Sequence, residues 1–215
     1  MKPMNNEAVS PVVGVMLMLV VTIIIAAVVS AFAGGMAGDE QAAPSASIEV
    51  TIGYDPTLGM SGEGGYNMEF KHLSGDYIPT KDLAIITYYT NETGYTYKHE
   101  QTASSGMTDL YGDEWGYGVR YYARVPYLND MRYGYAGGSY GSGNPDVDFG
   151  NYTWKVGDVL CTNGDPATAD LLGINDDSDP HQIEDPDFGT GSVVDVKILH
   201  IPSGKYIYDK EVVVL

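Results

Sequence analysis

Cysteine occurs once in the 215 residues, at position 161, so the chain can form no internal disulfide and no cysteine-built metal cluster. The fold must be held by its own core or by packing into an assembly, and Cys161 reads as a small buried side chain near a strand end. Basic residues are also scarce. Eleven Lys and Arg stand against 29 Asp and Glu, a formal net charge of −18, and such a chain repels nucleic acid, whose phosphates are bound by Lys and Arg. The acidity suits a soluble surface facing a cation-rich exterior. The four histidines, His72, His99, His181 and His200, lack paired ligand spacing, so structural roles are expected for them and no cofactor is expected. Charge is missing altogether from residues 9–33.

That run, VSPVVGVMLMLVVTIIIAAVVSAFA, has only Ser10, Thr22 and Ser30 as hydroxyls. As a helix it measures roughly 37 Å, enough to cross a hydrocarbon layer of about 30 Å. It is apolar all round, whereas a surface helix of a globular domain would show a polar face. The segment therefore belongs in lipid or in a bundle of its own kind. Lys2 and the amino terminus precede it, while Asp39 and Glu40 follow it, which puts the rest of the chain outside the cell by the positive-inside rule. Three readings compete: a permanent anchor, a secretory signal cut after the small residues of Ala31-Phe32-Ala33, and a helix that loses only a short leader. The apolar run is longer than the usual secretory core of about 7–15 residues.

The start of the helix separates the readings. Residues 7–18, EAVSPVVGVMLM, resemble the start of archaeal type IV pilins, which carry a class III signal peptide and a Val-Ser-Pro-Val run after a short polar leader. The resemblance implies cleavage by a prepilin peptidase between Ala8 and Val9. It also implies a mature helix with Ser10 as N-cap and Pro11 at the first helical position, where a missing N–H costs nothing. Bacterial pilins usually carry a glutamate at the fifth mature position; here that position is Val13, as archaeal pilins generally also lack it. Register would then rest on shape, with the small residues Gly14, Ala26, Ala27, Ser30 and Ala31 letting neighbouring helices approach closely.

The expected domains are a leader at 1–8, an apolar helix at 9–35, a flexible linker at 36–47 rich in Gly, Ala, Pro and Ser, and an extracellular β-rich head at 48–215. Residues 47–54 alternate Ile48, Val50, Ile52 and Tyr54 with polar neighbours, the period of a half-buried strand. Residues 66–73 and 83–90 read as further strands. Residues 193–201 and 205–215 read as a hairpin turning through Pro202-Ser203-Gly204. No amphipathic helix of useful length is expected after Ala33. The fold class is thus one long N-terminal helix followed by an all-β antiparallel head, a sandwich or small barrel, with the immunoglobulin-like sandwich among the candidates. Residues 104–152 change in composition. Nine of the chain's 18 tyrosines lie from Tyr111 to Tyr152 among Tyr-Gly and Gly-Ser elements, a segment read as an insertion whose tyrosines serve contact or cover the sandwich edge.

Asn91-Glu92-Thr93 and Asn151-Tyr152-Thr153 are N-glycosylation sequons, usable if the head is outside the cell. The acidic stretch 175–187 offers Asp176, Asp177 and Asp179 as weak calcium ligands. Pro180 stands where an EF-hand loop needs glycine and Pro186 where it needs glutamate, so a solvated loop is expected instead. Residues 137–141, GGSYG, fit the letters of a nucleophile elbow without its strand-turn-helix setting, and no pair of carboxylates is marked for glycoside hydrolysis. No catalytic residue is expected. The resemblance implies a subunit that starts in the cell membrane, meets a prepilin peptidase and a pilus assembly platform, and self-associates through its helix into an adhesive surface filament. The rivals are a membrane-tethered extracellular binding module and a subunit of an archaeal motility filament.

Overall fold

A computed structural model describes residues 11–36, 41–58, 64–110, 121–130, 132–133, 138–139, 143–175, 183 and 185–215. The chain divides into two compact units, residues 1–41 and 42–215. The first contains helix α1 (Pro11–Met36). Its interior is rich in Val and Ile, whose branched side chains lower helix propensity slightly, but every backbone N–H beyond the first turn finds a partner within the helix. Thr22 Oγ1 donates to the Leu19 carbonyl at 2.9 Å, so this hydroxyl is satisfied without leaving the helix.

The second unit is built from strands β1 (Ala46–Asp55), β2 (Gly65–Gly75), β3 (Ile78–Pro79), β4 (Leu83–Thr90), β5 (Thr96–Thr102), β6 (Thr108–Asp109) and β7 (Tyr121–Ala123). It continues through β8 (Tyr127–Leu128), β9 (Gly138–Ser139), β10 (Thr153–Trp154), β11 (Val159–Cys161), helix α2 (Asp165–Leu172), β12 (Val193–His200) and β13 (Lys205–Val213). Two four-stranded antiparallel sheets dominate, ordered β1-β2-β11-β8 and β13-β12-β4-β5. Lettered A, B, C, C′, D, E, F and G in chain order, the strands β1, β2, β4, β5, β8, β11, β12 and β13 give the orders A-B-E-D and G-F-C-C′. This is the strand order of an immunoglobulin-type sandwich. The head is sandwich-like and does not close into a barrel. The far end of β13 bridges to β1 in parallel between Ile52 and Val214, where the Leu215 N–H donates to the Ile52 carbonyl at 2.9 Å.

Alternation fills the space between the sheets. Ile48, Val50 and Ile52 of β1 meet Met68 and Phe70 of β2, Leu83 and Ile85 of β4, Leu160 of β11, and Val194, Val196 and Ile198 of β12 in one buried cluster. The alternating pattern of β1 ends before Tyr54, which is half exposed. The terminal hairpin forms as the sequence suggests, with Val193 opposite Val213 and Gly204 in the left-handed conformation (φ +63°) that closes the turn.

Two findings depart from the sequence reading. Within the segment taken as an insertion, β8 is a strand of the main A-B-E-D sheet, and Val125, Val147 and Phe149 are core residues. A short helix, α2, also lies in the connection between β11 and β12. It starts with Pro166 in its first turn and stops at Gly173 (φ +70°), whose N–H caps the Asp170 carbonyl. Its buried face of Ala167, Thr168, Ala169, Leu171 and Leu172 mixes small and hydroxyl residues, so the helix period is faint in the sequence.

Candidate functional site: an apolar helix and two sequons

Each of the 20 side chains from Val12 to Ala31 is exposed in the single chain, and the span has a mean hydropathy of 3.2. Fourteen of them are large apolar residues, from Val12 to Val29. Gly14 has open space where a Cβ would stand, and Ala26, Ala27, Ser30 and Ala31 lie exposed on the same helix. Val13 is uncharged, and residues 9–33 hold no charge for it to pair with. Helix α1 begins at Pro11. Ala8, Val9 and Ser10 lie outside the described residues, as do the calcium candidates Asp176, Asp177 and Asp179.

The two sequons sit in different environments. Asn91 follows β4 and organises the β4–β5 turn. Its Oδ1 accepts from the Thr93 hydroxyl at 2.7 Å and from the Tyr95 N–H at 3.0 Å, while its Nδ2 donates to Asp185 Oδ2 at 2.9 Å. Asp185 is buried, and its other oxygen accepts from the Asp187 N–H at 2.9 Å. Asn151 lies in the turn before β10, is exposed, and its Nδ2 donates to the Pro145 carbonyl at 2.9 Å. Thr153, the third residue of that sequon, is also exposed. Sequence reasoning treats the two sequons alike because Asp185 lies 94 positions from Asn91.

Further buried or paired polar groups lie in the head. Cys161 ends β11 and is 1% exposed; burial pushes its thiol up to about 12, with Glu69 adding to the effect. His72 is 1% exposed, packs on Trp154 with ring centres 5.3 Å apart, and has no hydrogen-bond partner on either ring nitrogen among the described residues. Asp148 is 2% exposed, and burial raises its carboxyl to about 6 while the Arg124 backbone N–H and charge pull it the other way. On the outer face of the G-F-C-C′ sheet, Lys197 bridges Asp195 at 3.0 Å and Asp209 at 2.6 Å. Among the described residues no group of three His, Cys, Asp or Glu is placed to hold a metal ion.

The tyrosine-rich segment is described in part. Tyr127 is buried in the core, and Tyr133 meets Tyr152 edge to face at 6.3 Å. The hydroxyl of Tyr152 donates to Asp158 Oδ2. Tyr122 and Tyr133 are exposed.

Residues 7–48 match the family profile described as archaeal type IV pilin, N-terminal. A protein of Archaeoglobus fulgidus described as uncharacterized is 35% identical over 86 residues, which is 40% of this chain and 55% of that relative. The chain thus spans about half the length of the curated relative it matches. No solved structure matches the chain.

Proposed function

We propose that this chain, whose residues 7–48 match the archaeal type IV pilin N-terminal profile, is a subunit of a cell-surface pilus used for adhesion. The observation that carries the reading is the wholly exposed apolar face of Val12–Ala31, set in a stretch that matches the pilin N-terminus. A single chain cannot keep such a helix in water. Fourteen large apolar side chains, at about 1.5 kcal/mol each, amount to on the order of 20 kcal/mol of burial before ordering costs. Two environments can supply that burial: the bilayer for the precursor and neighbouring copies of the helix in a filament.

In this reading a prepilin peptidase cuts between Ala8 and Val9, leaving a mature amino terminus just ahead of the helix. An assembly platform then passes the subunit from membrane to filament. Without a glutamate at position 13, no charge pair sets the register, and close approach at Gly14, Ala26, Ala27, Ser30 and Ala31 sets it instead. The β-sandwich stands outside the cell, where its acidic surface keeps neighbouring heads soluble.

The test is the amino-terminal residue of the protein recovered from cells, combined with electron microscopy of purified filaments and mass spectrometry of their head peptides. A mature form starting at Val9 and present in filaments is the expected result. A form starting at Gly34 would remove the helix and with it the proposal. A detergent-soluble monomer that never enters filaments would favour a membrane-tethered binding module.

A further inference from the structure

The fold treats the two sequons differently, and we infer that Asn151 is an N-glycosylation site while Asn91 is a structural residue that stays unmodified. The inference rests on the proposed export of the head, because the modifying machinery must meet the folded or folding sandwich outside the membrane.

The reaction places the demand on one atom. Nδ2 of the asparagine attacks the anomeric carbon of a sugar carried on a lipid phosphate. The C–N bond forms as the carbon–oxygen bond to phosphate breaks. The lipid phosphate leaves with the bonding electron pair, and Nδ2 gives up one of its two protons to a base of the transferase. The nitrogen must therefore be presented outward, with one N–H to spare and room for a sugar ring beside it.

Asn91 does not present its nitrogen outward. The residues after it, Glu92, Thr93, Gly94 and Tyr95, are exposed, yet the Asn91 side chain is folded back and half-buried. Its Nδ2 is fixed on Asp185, a carboxylate that is 5% exposed. Its Oδ1 holds two further donors from the turn, Thr93 and Tyr95, so rotation of the amide would break three bonds at once. Turning Nδ2 toward solvent would also take a hydrogen bond away from a buried carboxylate, which the fold resists. The Thr93 hydroxyl that completes the sequon is spent on the same turn.

Asn151 meets the demand. It is exposed, its Nδ2 makes one bond among the described residues, to a backbone carbonyl on the exposed residue Pro145, and that bond uses a single N–H. The second N–H remains for substitution by a sugar. The position is stiffly held, since the Asn151 N–H donates to the Asp148 carbonyl at 3.0 Å and Tyr152 is fixed through Thr80, whose hydroxyl donates to the Tyr152 carbonyl at 2.6 Å. A glycan here would spread over the neighbouring Tyr133 and Tyr152 rings, at the edge of the tyrosine-rich segment.

The experiment uses full-length protein isolated from the cells that make it. Trypsin releases residues 82–98 with Asn91 and residues 133–155 with Asn151, cut after Lys81, Lys98, Arg132 and Lys155. The expected result is a sugar mass on peptide 133–155, with its bare form depleted at least tenfold, and peptide 82–98 at its bare mass. Asn151→Gln and, separately, Thr153→Ala should each remove the sugar mass, the second without altering the asparagine. A bare 133–155 peptide, or a sugar on Asn91, overturns the inference. Protease shaving of intact cells separates this failure from that of the export reading: head peptides released from cells with a bare Asn151 sink the glycosylation site alone. Head peptides protected from the protease sink export itself.

Discussion

The Thr87 hydroxyl donates to the Leu171 carbonyl at 2.7 Å, joining the inner face of β4 to the last turn of α2 in a buried position. A helix end leaves carbonyls without partners inside the helix, and a buried one needs an outside donor. Thr87→Val keeps the shape and removes the donor. The expected cost is about 1–2 kcal/mol of head stability, read as a shift in the urea midpoint of the full chain in detergent, with Trp154 fluorescence as the probe. An unchanged midpoint would mean that solvent reaches that carbonyl.

Phe70 is fully buried at the centre of the A-B-E-D sheet, whereas Tyr206 is half exposed on β13. Phe70→Ala should cost about 3–5 kcal/mol through lost burial and the cavity left behind. Tyr206→Ala should stay within about 0.5 kcal/mol. Equal losses at both positions in the same denaturation experiment would contradict the packing.

Asp148 gives the head a dependence on pH. Its folded carboxyl is raised to about 6 by burial, while the unfolded chain keeps the ordinary value of 3.8. Between these values the folded state still holds a proton that the unfolded state has released. The protonated Asp148 therefore contributes stability that is complete below about pH 4 and is lost as pH rises through 6. Asp148→Asn should remove this fall, stabilising the head near pH 7.5 by about 1–3 kcal/mol relative to the parent and leaving the two closer at pH 4. A parent-minus-variant difference that is flat from pH 4 to 8 would refute the assignment.

Cys161 should resist alkylation while the head is folded, because its thiol is buried and held far from the thiolate at pH 8. Iodoacetamide labelling should accelerate by about a hundredfold or more once urea unfolds the head. Rapid labelling of folded protein would show that β11 opens on its own.

Ile24 lies near the middle of Val12–Ala31 and is exposed in the single chain. Ile24→Arg should cost about 3 kcal/mol for insertion at a bilayer centre and should abolish filaments seen by electron microscopy. The urea midpoint of the head should stay within about 0.5 kcal/mol of the parent. Normal filaments in this variant would contradict burial of the helix in a filament core.

Much of the architecture is legible in the residues because it rests on local periodicity. The alternation in β1 and in the β12–β13 hairpin marks buried faces one strand at a time, and the uninterrupted apolar run of α1 leaves it no polar face. Helix α2 escapes notice because Ala167, Thr168 and Ala169 make up much of its buried face beside Leu171 and Leu172, and the hydroxyl of Thr168 is satisfied by the Tyr66 carbonyl 102 positions away. Strand β8 escapes because two residues are too few to show a period; Tyr127 and Leu128 become a strand by pairing with Cys161 and Leu160.

The sequence by itself determined that the first segment must leave water, that the rest would be mostly sheet, and where asparagines lie in sequons, since each depends on neighbouring residues alone. Only the tertiary structure decided that the strands run A-B-E-D and G-F-C-C′, that Asp148 is buried, and that Asn91 is held by Asp185 while Asn151 faces out. Those outcomes depend on contacts between residues far apart in the chain, which form when the two sheets close on a shared core and which no local pattern encodes.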